Sequence, residues 1–175
     1  MFIQNLFMKA PNVKFNLQDR PEFFKELRKR VSQHFKENNI STYANFSMKV
    51  KTAFMISLYF VPFVLMITGV VQSTGASLAM WTLMGFGMSG IGLCVMHDAN
   101  HGSYSQNKMV NKALGYIVNF LGVYDLNWRI QHNVLHHSFT NIDGYDEDIK
   151  NSVFRLSPNQ ERKKSHRYQH IYAPF

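Results

Sequence analysis

The chain has 175 residues and a net charge of +8, and its single cysteine, Cys94, excludes an internal disulfide framework. The charge is unevenly distributed, because no Lys, Arg, Asp or Glu occurs from Thr52 to Met96. Such a block is not typical of a soluble globular protein, in which apolar and polar residues interleave. A basic chain around an uncharged block indicates contact with anionic lipid and argues against a nucleic-acid partner.

The segment from Pro21 to Ile40 predicts an amphipathic helix. Pro21 suits the first helical turn. Apolar residues recur every four positions along the segment, at Phe23, Leu27, Val31 and Phe35. A basic amphipathic helix before a membrane span is typical of one that lies in the lipid interface. Packing of this helix on the protein's own polar part is the alternative.

Two apolar runs, at about residues 52–71 and 77–96, predict a transmembrane hairpin. Each run is long enough to cross a hydrocarbon core of about 30 Å. Pro62 is tolerable in the first run, because kinked helices occur in membranes. The second run has small residues that permit close helix approach, at Gly85, Gly87, Gly90 and Gly92.

Lysines flank both outer ends of the hairpin, whereas its turn has no charge; they are Lys49, Lys51, Lys108 and Lys112. By the positive-inside rule, both ends face the cytoplasm. The sequence thus predicts an all-α, multi-pass membrane protein with an N-terminal cytoplasmic or interfacial region (1–49), a transmembrane hairpin (50–96) and a cytoplasmic region (97–175). Residues 113–123 are apolar but too short to span, which predicts a re-entrant or interfacial segment.

Two groups of closely spaced histidines follow the hairpin. His97 and His101 lie in HDANH, and His132, His136 and His137 lie in HNVLHH. Residues four apart share one helical face, and His137 is turned about 100° further round an α-helix, toward a neighbouring metal. Imidazole suits iron, zinc, copper and nickel. The two groups therefore predict a metal site, and the lack of a usable thiolate favours a catalytic one over a structural zinc.

Other polar residues near these groups are weaker candidates. Four of them can orient the imidazoles, or are simply solvated at loops: Asp98, Asn100, Asn133 and Asn141. His166 and His170 are also four apart and are either additional metal ligands or part of a charged interfacial helix. His34, on the amphipathic helix, is predicted to be an ordinary surface residue.

The stretches GLCVMHDANHGSYS and NWRIQHNVLHHSFTNIDGYDEDI resemble the membrane fatty acid desaturase family, especially bacterial acyl-CoA or acyl-lipid desaturases of the linoleoyl-CoA type. His97 and His101 match the family's first histidine box, and His132, His136 and His137 match its second. The resemblance implies a four-span helical enzyme of the bacterial inner membrane with a cytoplasmic cap. It also implies two iron ions, O2 as co-substrate and a fatty acyl substrate linked to CoA or lipid, into which a double bond is introduced. A separate electron donor, of cytochrome b5 or ferredoxin type, is implied because no haem-binding HPGG motif occurs.

The sequence departs from the family pattern because the second pair of spans and the third histidine box do not occur in it. We therefore expect a partial N-terminal portion, half of the four-span fold, that is inactive alone. The competing functions are a membrane histidine-box hydroxylase and a non-enzymatic haem or metal carrier. Several aromatic side chains are candidates for an acyl tunnel or for lipid contact: Tyr59, Phe60, Trp81, Phe86 and Trp128.

Overall fold

A computed structural model of the chain describes residues 13–15, 21–150 and 153–172. Helices, and no strand, occur in these residues, so the all-α prediction is confirmed for them. The α-helices are α1 (Pro21–Glu37), α2 (Phe46–Ile67), α3 (Thr74–Gly90), α4 (His97–Asn100), α5 (Lys108–Tyr116), α6 (Asp125–Arg129) and α7 (Gln169–Tyr172). Two π-helical segments, Ile91–Met96 and Ile130–His136, and three 3₁₀ turns, Ile117–Leu121, Glu147–Ile149 and Lys164–Tyr168, complete the order.

Two compact units make up the chain. One is Arg20–Asp125, and the other combines Leu126–Phe175 with the N-terminal residues before Arg20. The first histidine group lies in the former unit and the second group in the latter. The sequence-based boundaries at residues 49 and 96 separate regions by their expected place relative to the membrane, and they stay a prediction. The N-terminal region, 1–49, lies partly outside the described residues.

The predicted hairpin is present as two long apolar helices, but their limits differ from the prediction. By length and composition, 22 residues from Phe46 and 27 residues from Thr74 to Asn100 can cross a membrane. α2 begins before the apolar run because the Asn45 side chain caps it by accepting the Met48 N–H. It ends at Ile67, just before Gly69, whose φ of 73° is left-handed. Apolarity alone cannot detect such caps and breaks.

The two long helices approach closely at Gly87, as the small residues predicted. A Cβ atom on Gly87 would lie 2.6 Å from the Tyr59 backbone nitrogen, so only glycine fits there. At Gly90 the neighbour is the flexible Met55 side chain. A Cβ atom on Gly85 or Gly92 would meet nothing within 4 Å, so these two glycines are not required for the contact.

The second long helix does not end at Met96, where the predicted span ends. It continues through the π-helical segment Ile91–Met96 into α4, so that His97 and His101 follow directly on its path. Ile91 and Val95 are completely buried and fix this segment in the core of its unit. Residues 113–123 are helical too, but divided between α5 and a 3₁₀ turn that ends at Gly122, with φ 84°. Their interfacial placement stays a prediction.

Candidate metal centre

The first histidine group follows a π-helical segment. π-helices are rare, occur mostly as single turns inside α-helices and are frequent at functional sites. The rings of His97 and His101 lie with their centroids 4.6 Å apart. The Nδ1 atom of His97 is 3.3 Å from Oδ1 of Asp98, one of the four predicted orienting residues. The predicted pairing of these two imidazoles on one face is therefore present.

The second histidine group lies within and at the end of a π-helical segment, Ile130–His136. Ring centroids of His132 and His136 are 5.0 Å apart, those of His132 and His137 are 4.9 Å apart, and those of His136 and His137 are 5.3 Å apart. Hydrogen bonds from i to i+5 widen the turn, so residues four and five apart share a face. His137 consequently joins the other two imidazoles, which α-helical geometry did not predict.

Two carboxylates orient the second group. The Nδ1 atom of His132 lies 2.9 Å from Oδ2 of Asp148, and that of His136 lies 2.9 Å from Oδ1 of Asp146. Asp148 Oδ2 is also 3.5 Å from Nδ1 of His136. A histidine that binds a metal usually donates its other ring N–H to a carboxylate or carbonyl, which fixes the ring and raises its basicity. The arrangement leaves the Nε2 atoms of both rings as the ligand atoms.

Asp146 is a buried ionised carboxylate, with a side chain of 0% exposure. Burial alone raises the pKa of a carboxyl group, but here it is outweighed by hydrogen bonds from the Asn141 N–H, from His136 and from the Asp148 N–H. The net effect lowers the pKa of Asp146. The carboxylate therefore stays negative in the folded chain and is placed to accept the Nδ1–H of His136.

Comparison with known proteins identifies the family. The sequence profile named "Fatty acid desaturase" matches residues 73–174, more than half of the chain. The chain belongs to the fatty acid desaturase family. The sn-1 linoleoyl-lipid 6-desaturase of Arthrospira platensis is 36% identical over 154 residues, which are 87% of this chain and 42% of that protein. An acyl-lipid (8-3)-desaturase of Physcomitrium patens is 34% identical over 167 residues, 94% of this chain and 35% of that protein.

The chain thus spans about two fifths of the length of the curated desaturases that it matches. No solved structure matches it significantly. The two long apolar helices and the family together indicate membrane association. Oxidoreductase activity is a property of this family.

Asp146 and Asp148 of this family member were not predicted as site residues from the sequence. The available signal was the acidic patch that follows the second box at short distance. The chain must reverse between His137 and Asp146 before these carboxylates can reach the imidazoles. Asn141 and Gly144 make that reversal with left-handed φ angles of 63° and 85°. Asn141 contributes its backbone N–H to Asp146.

The other two residues predicted to orient the imidazoles are Asn100 and Asn133. The Asn100 amide Nδ2 lies 3.5 Å from Sδ of Met96, and its Oδ1 occupies the space that a Cβ atom on Gly115 would need. Asn133 is partly buried on the second π-helical segment. Orientation of an imidazole by either amide stays a prediction.

His166 and His170 lie in the same unit as the second box. Nδ1 of His166 accepts the Lys163 N–H at 3.2 Å, and its Nε2 atom is buried. A neutral imidazole that accepts at Nδ1 carries its proton on Nε2, so this tautomer offers no lone pair to a metal. His170 is exposed on α7. Metal binding by either residue stays a prediction.

The donor set of the second box fits a transition metal. His132, His136 and Asp148 form a compact group, with polar atoms all within 4.8 Å of one another, in which Asp148 faces the Nδ1 atoms of both rings. Imidazole nitrogen is a donor that suits iron as well as zinc and copper. The Trp128 ring stacks on His132 with centroids 4.5 Å apart, which restricts the rotation of that imidazole. The residues present therefore suit the iron that the family resemblance implies.

Proposed function

We propose that this chain provides the first two histidine boxes of an O2-dependent acyl desaturase with a two-iron centre. The observation that carries the proposal is the pair of carboxylate–imidazole contacts, Asp148 with His132 and Asp146 with His136. The five proposed ligands are His97, His101, His132, His136 and His137. The curated relatives named above are acyl-lipid desaturases, which favours a lipid-linked acyl chain over acyl-CoA as substrate.

The carboxylates act by fixing the tautomer. Each accepts the Nδ1–H of its histidine, so the Nε2 lone pair is available to a metal ion. Asp146 is rigid in this role because two backbone N–H groups, of Asn141 and Asp148, also donate to it. The His136 ring is thereby held in place before any metal binds, so less side-chain entropy is lost when a metal ion is bound.

Iron would supply the redox chemistry that acid–base side chains lack, because a methylene of an acyl chain has no acidic proton. Overall, the acyl chain loses two hydrogens and O2 becomes two molecules of water. The balance requires two further electrons, for which we propose a separate donor of the cytochrome b5 or ferredoxin type, and two protons from water. Acyl-chain substrates dissolve in lipid, which accounts for a membrane location of the boxes.

A cobalt titration tests the metal site directly. Purified chain in detergent should bind Co(II) with a visible ligand-field spectrum, and His132→Ala or His136→Ala should weaken binding strongly. His34→Ala is the matched control, because His34 lies on α1, outside both boxes. Equal binding by all variants would contradict the proposed ligands.

Product analysis tests the reaction. A host that receives lipid-linked unsaturated fatty acids should gain an acyl chain with one additional double bond when it expresses this chain together with a desaturase portion that carries the second pair of spans and the third box, and should not gain it with this chain alone. An alcohol in place of the alkene would show a hydroxylase instead. A Soret band on purification would support a haem carrier. That the 175-residue chain is inactive alone stays a prediction.

A further inference from the structure

The helix α1 exposes a continuous apolar face. No residue of this 17-residue helix is buried. Phe23 and Phe24 are 60% and 57% exposed, and Leu27 and Val31 are 45% and 48% exposed. Contiguous exposed apolar surface of this kind marks an interaction site.

The basic residues of α1 extend from the edge of this face to the opposite side of the helix. At about 100° per residue, one flank has four basic residues and no acidic one. These are Lys25, Arg28, Lys29 and Lys36. The acidic residues adjoin this flank: Glu22 precedes Lys25 by three residues, Glu26 pairs with Arg30 at 2.8 Å, and Glu37 accepts from Gln33 at 2.6 Å. Glu26 also lies near Lys29, so the basic flank is partly neutralised at that edge of the helix.

A groove follows the border between the apolar face and the basic flank. It has a volume of about 930 Å³, and the connection after α1 forms its other wall. Helix residues that line it combine apolar and cationic chemistry: Leu27, Val31, Phe35, Arg28 and Lys36. A ligand that suits this border has an acyl part and an anionic head.

The position of α1 favours a lipid surface as that ligand. α1 ends at Glu37, and the candidate span α2, in the same compact unit, begins at Phe46. So short a connection restricts α1 to the neighbourhood of the membrane interface. We propose that α1 is a docking surface for anionic phospholipid, with its apolar face in the acyl boundary and its basic flank on the headgroup phosphates.

Depth-dependent quenching tests the docking. Single cysteines at Leu27→Cys (apolar face) and Gln33→Cys (opposite face), in a Cys94→Ala parent with unchanged circular dichroism, would carry an environment-sensitive fluorophore. The full chain is placed in nanodiscs with nitroxide lipids, with or without phosphatidylglycerol. We expect quenching at position 27 but not at 33, and stronger quenching with the anionic lipid.

The basic flank is tested by Arg28→Gln combined with Lys36→Gln in the Leu27→Cys background. The ratio of docked to undocked helix should fall about fivefold per cation removed, as expected for basic residues near an anionic surface. Glu22→Gln plus Glu37→Gln is the matched control and should not lower the ratio. The proposal would be overturned by equal quenching at positions 27 and 33, or by quenching that does not depend on anionic lipid. It would also be overturned if the fluorophore at position 27 reported an apolar environment but was not quenched by the nitroxide lipids.

Discussion

At the scale of single residues, Asp146 is the most constrained group of the second box. It is buried, charged and accepts three hydrogen bonds, one of them from His136. A buried charge is costly unless its partners compensate it. The contacts with Asn141, Asp148 and His136 provide that compensation and simultaneously determine which nitrogen of His136 remains available.

Replacement of Asp146 should weaken metal binding without removing a ligand. In Asp146→Asn the negative charge that fixes the His136 tautomer is lost, so Co(II) affinity of the purified chain should fall about 10–100-fold. Titration of the cobalt absorption measures the change. Asp143→Asn, at an exposed neighbouring position, is the control and should bind like the native chain. An unchanged affinity for Asp146→Asn would contradict the orienting role.

The histidines were predictable from spacing, whereas their carboxylate partners were not. Five imidazoles at helical intervals constitute a local pattern, and local patterns are visible in sequence. Asp146 and Asp148 reach the histidines only because the chain reverses at Asn141 and Gly144. Such a reversal depends on two left-handed residues whose conformation the sequence does not specify.

At the scale of elements, the π-helical segments explain a spacing that α-helical geometry describes poorly. An α-helix brings residues three and four apart together on one face. The segment Ile130–His136 accommodates one more residue per turn, so intervals of four and five place His136 and His137 beside His132. Periodicity in the sequence predicts a helix there, but it does not distinguish the two helix types.

The helix contact of the hairpin should depend on one glycine and not on its neighbour. Gly87→Ala would place a Cβ atom 2.6 Å from the Tyr59 backbone, so the helices must separate, at a cost of about 1–3 kcal/mol. Unfolding in mixed detergent micelles, followed by circular dichroism, measures the loss. Gly85→Ala has the same gain in helix propensity but open space around it. Equal stability of the two variants would refute the close contact.

The existence of both long helices was predictable, and their ends were not. An uncharged block from Thr52 to Met96 is sufficient to predict two apolar helices. The caps at Asn45 and Ser73 decide where they begin, each by accepting one backbone N–H. Only the folded backbone shows that the second helix continues to the first histidine box.

At the scale of the whole molecule, the lysines around the hairpin predict its orientation in the membrane. With both outer ends in the cytoplasm, the turn between α2 and α3 lies on the opposite side. In intact cells, Thr74→Cys in the Cys94→Ala background should react with a membrane-impermeant maleimide. Gln106→Cys should react only after permeabilisation. The reverse labelling pattern would show that the histidine boxes are not cytoplasmic.

The length of the second helix couples the first histidine box to the thickness of the bilayer. Its 27 residues extend about 40 Å, roughly 10 Å more than a typical hydrocarbon core. Because the helical path from Thr74 to Asn100 is unbroken, a thicker or thinner membrane displaces or tilts the entire rod. With this rod across a bilayer, we therefore expect hydrophobic mismatch to alter the depth of His97 and His101.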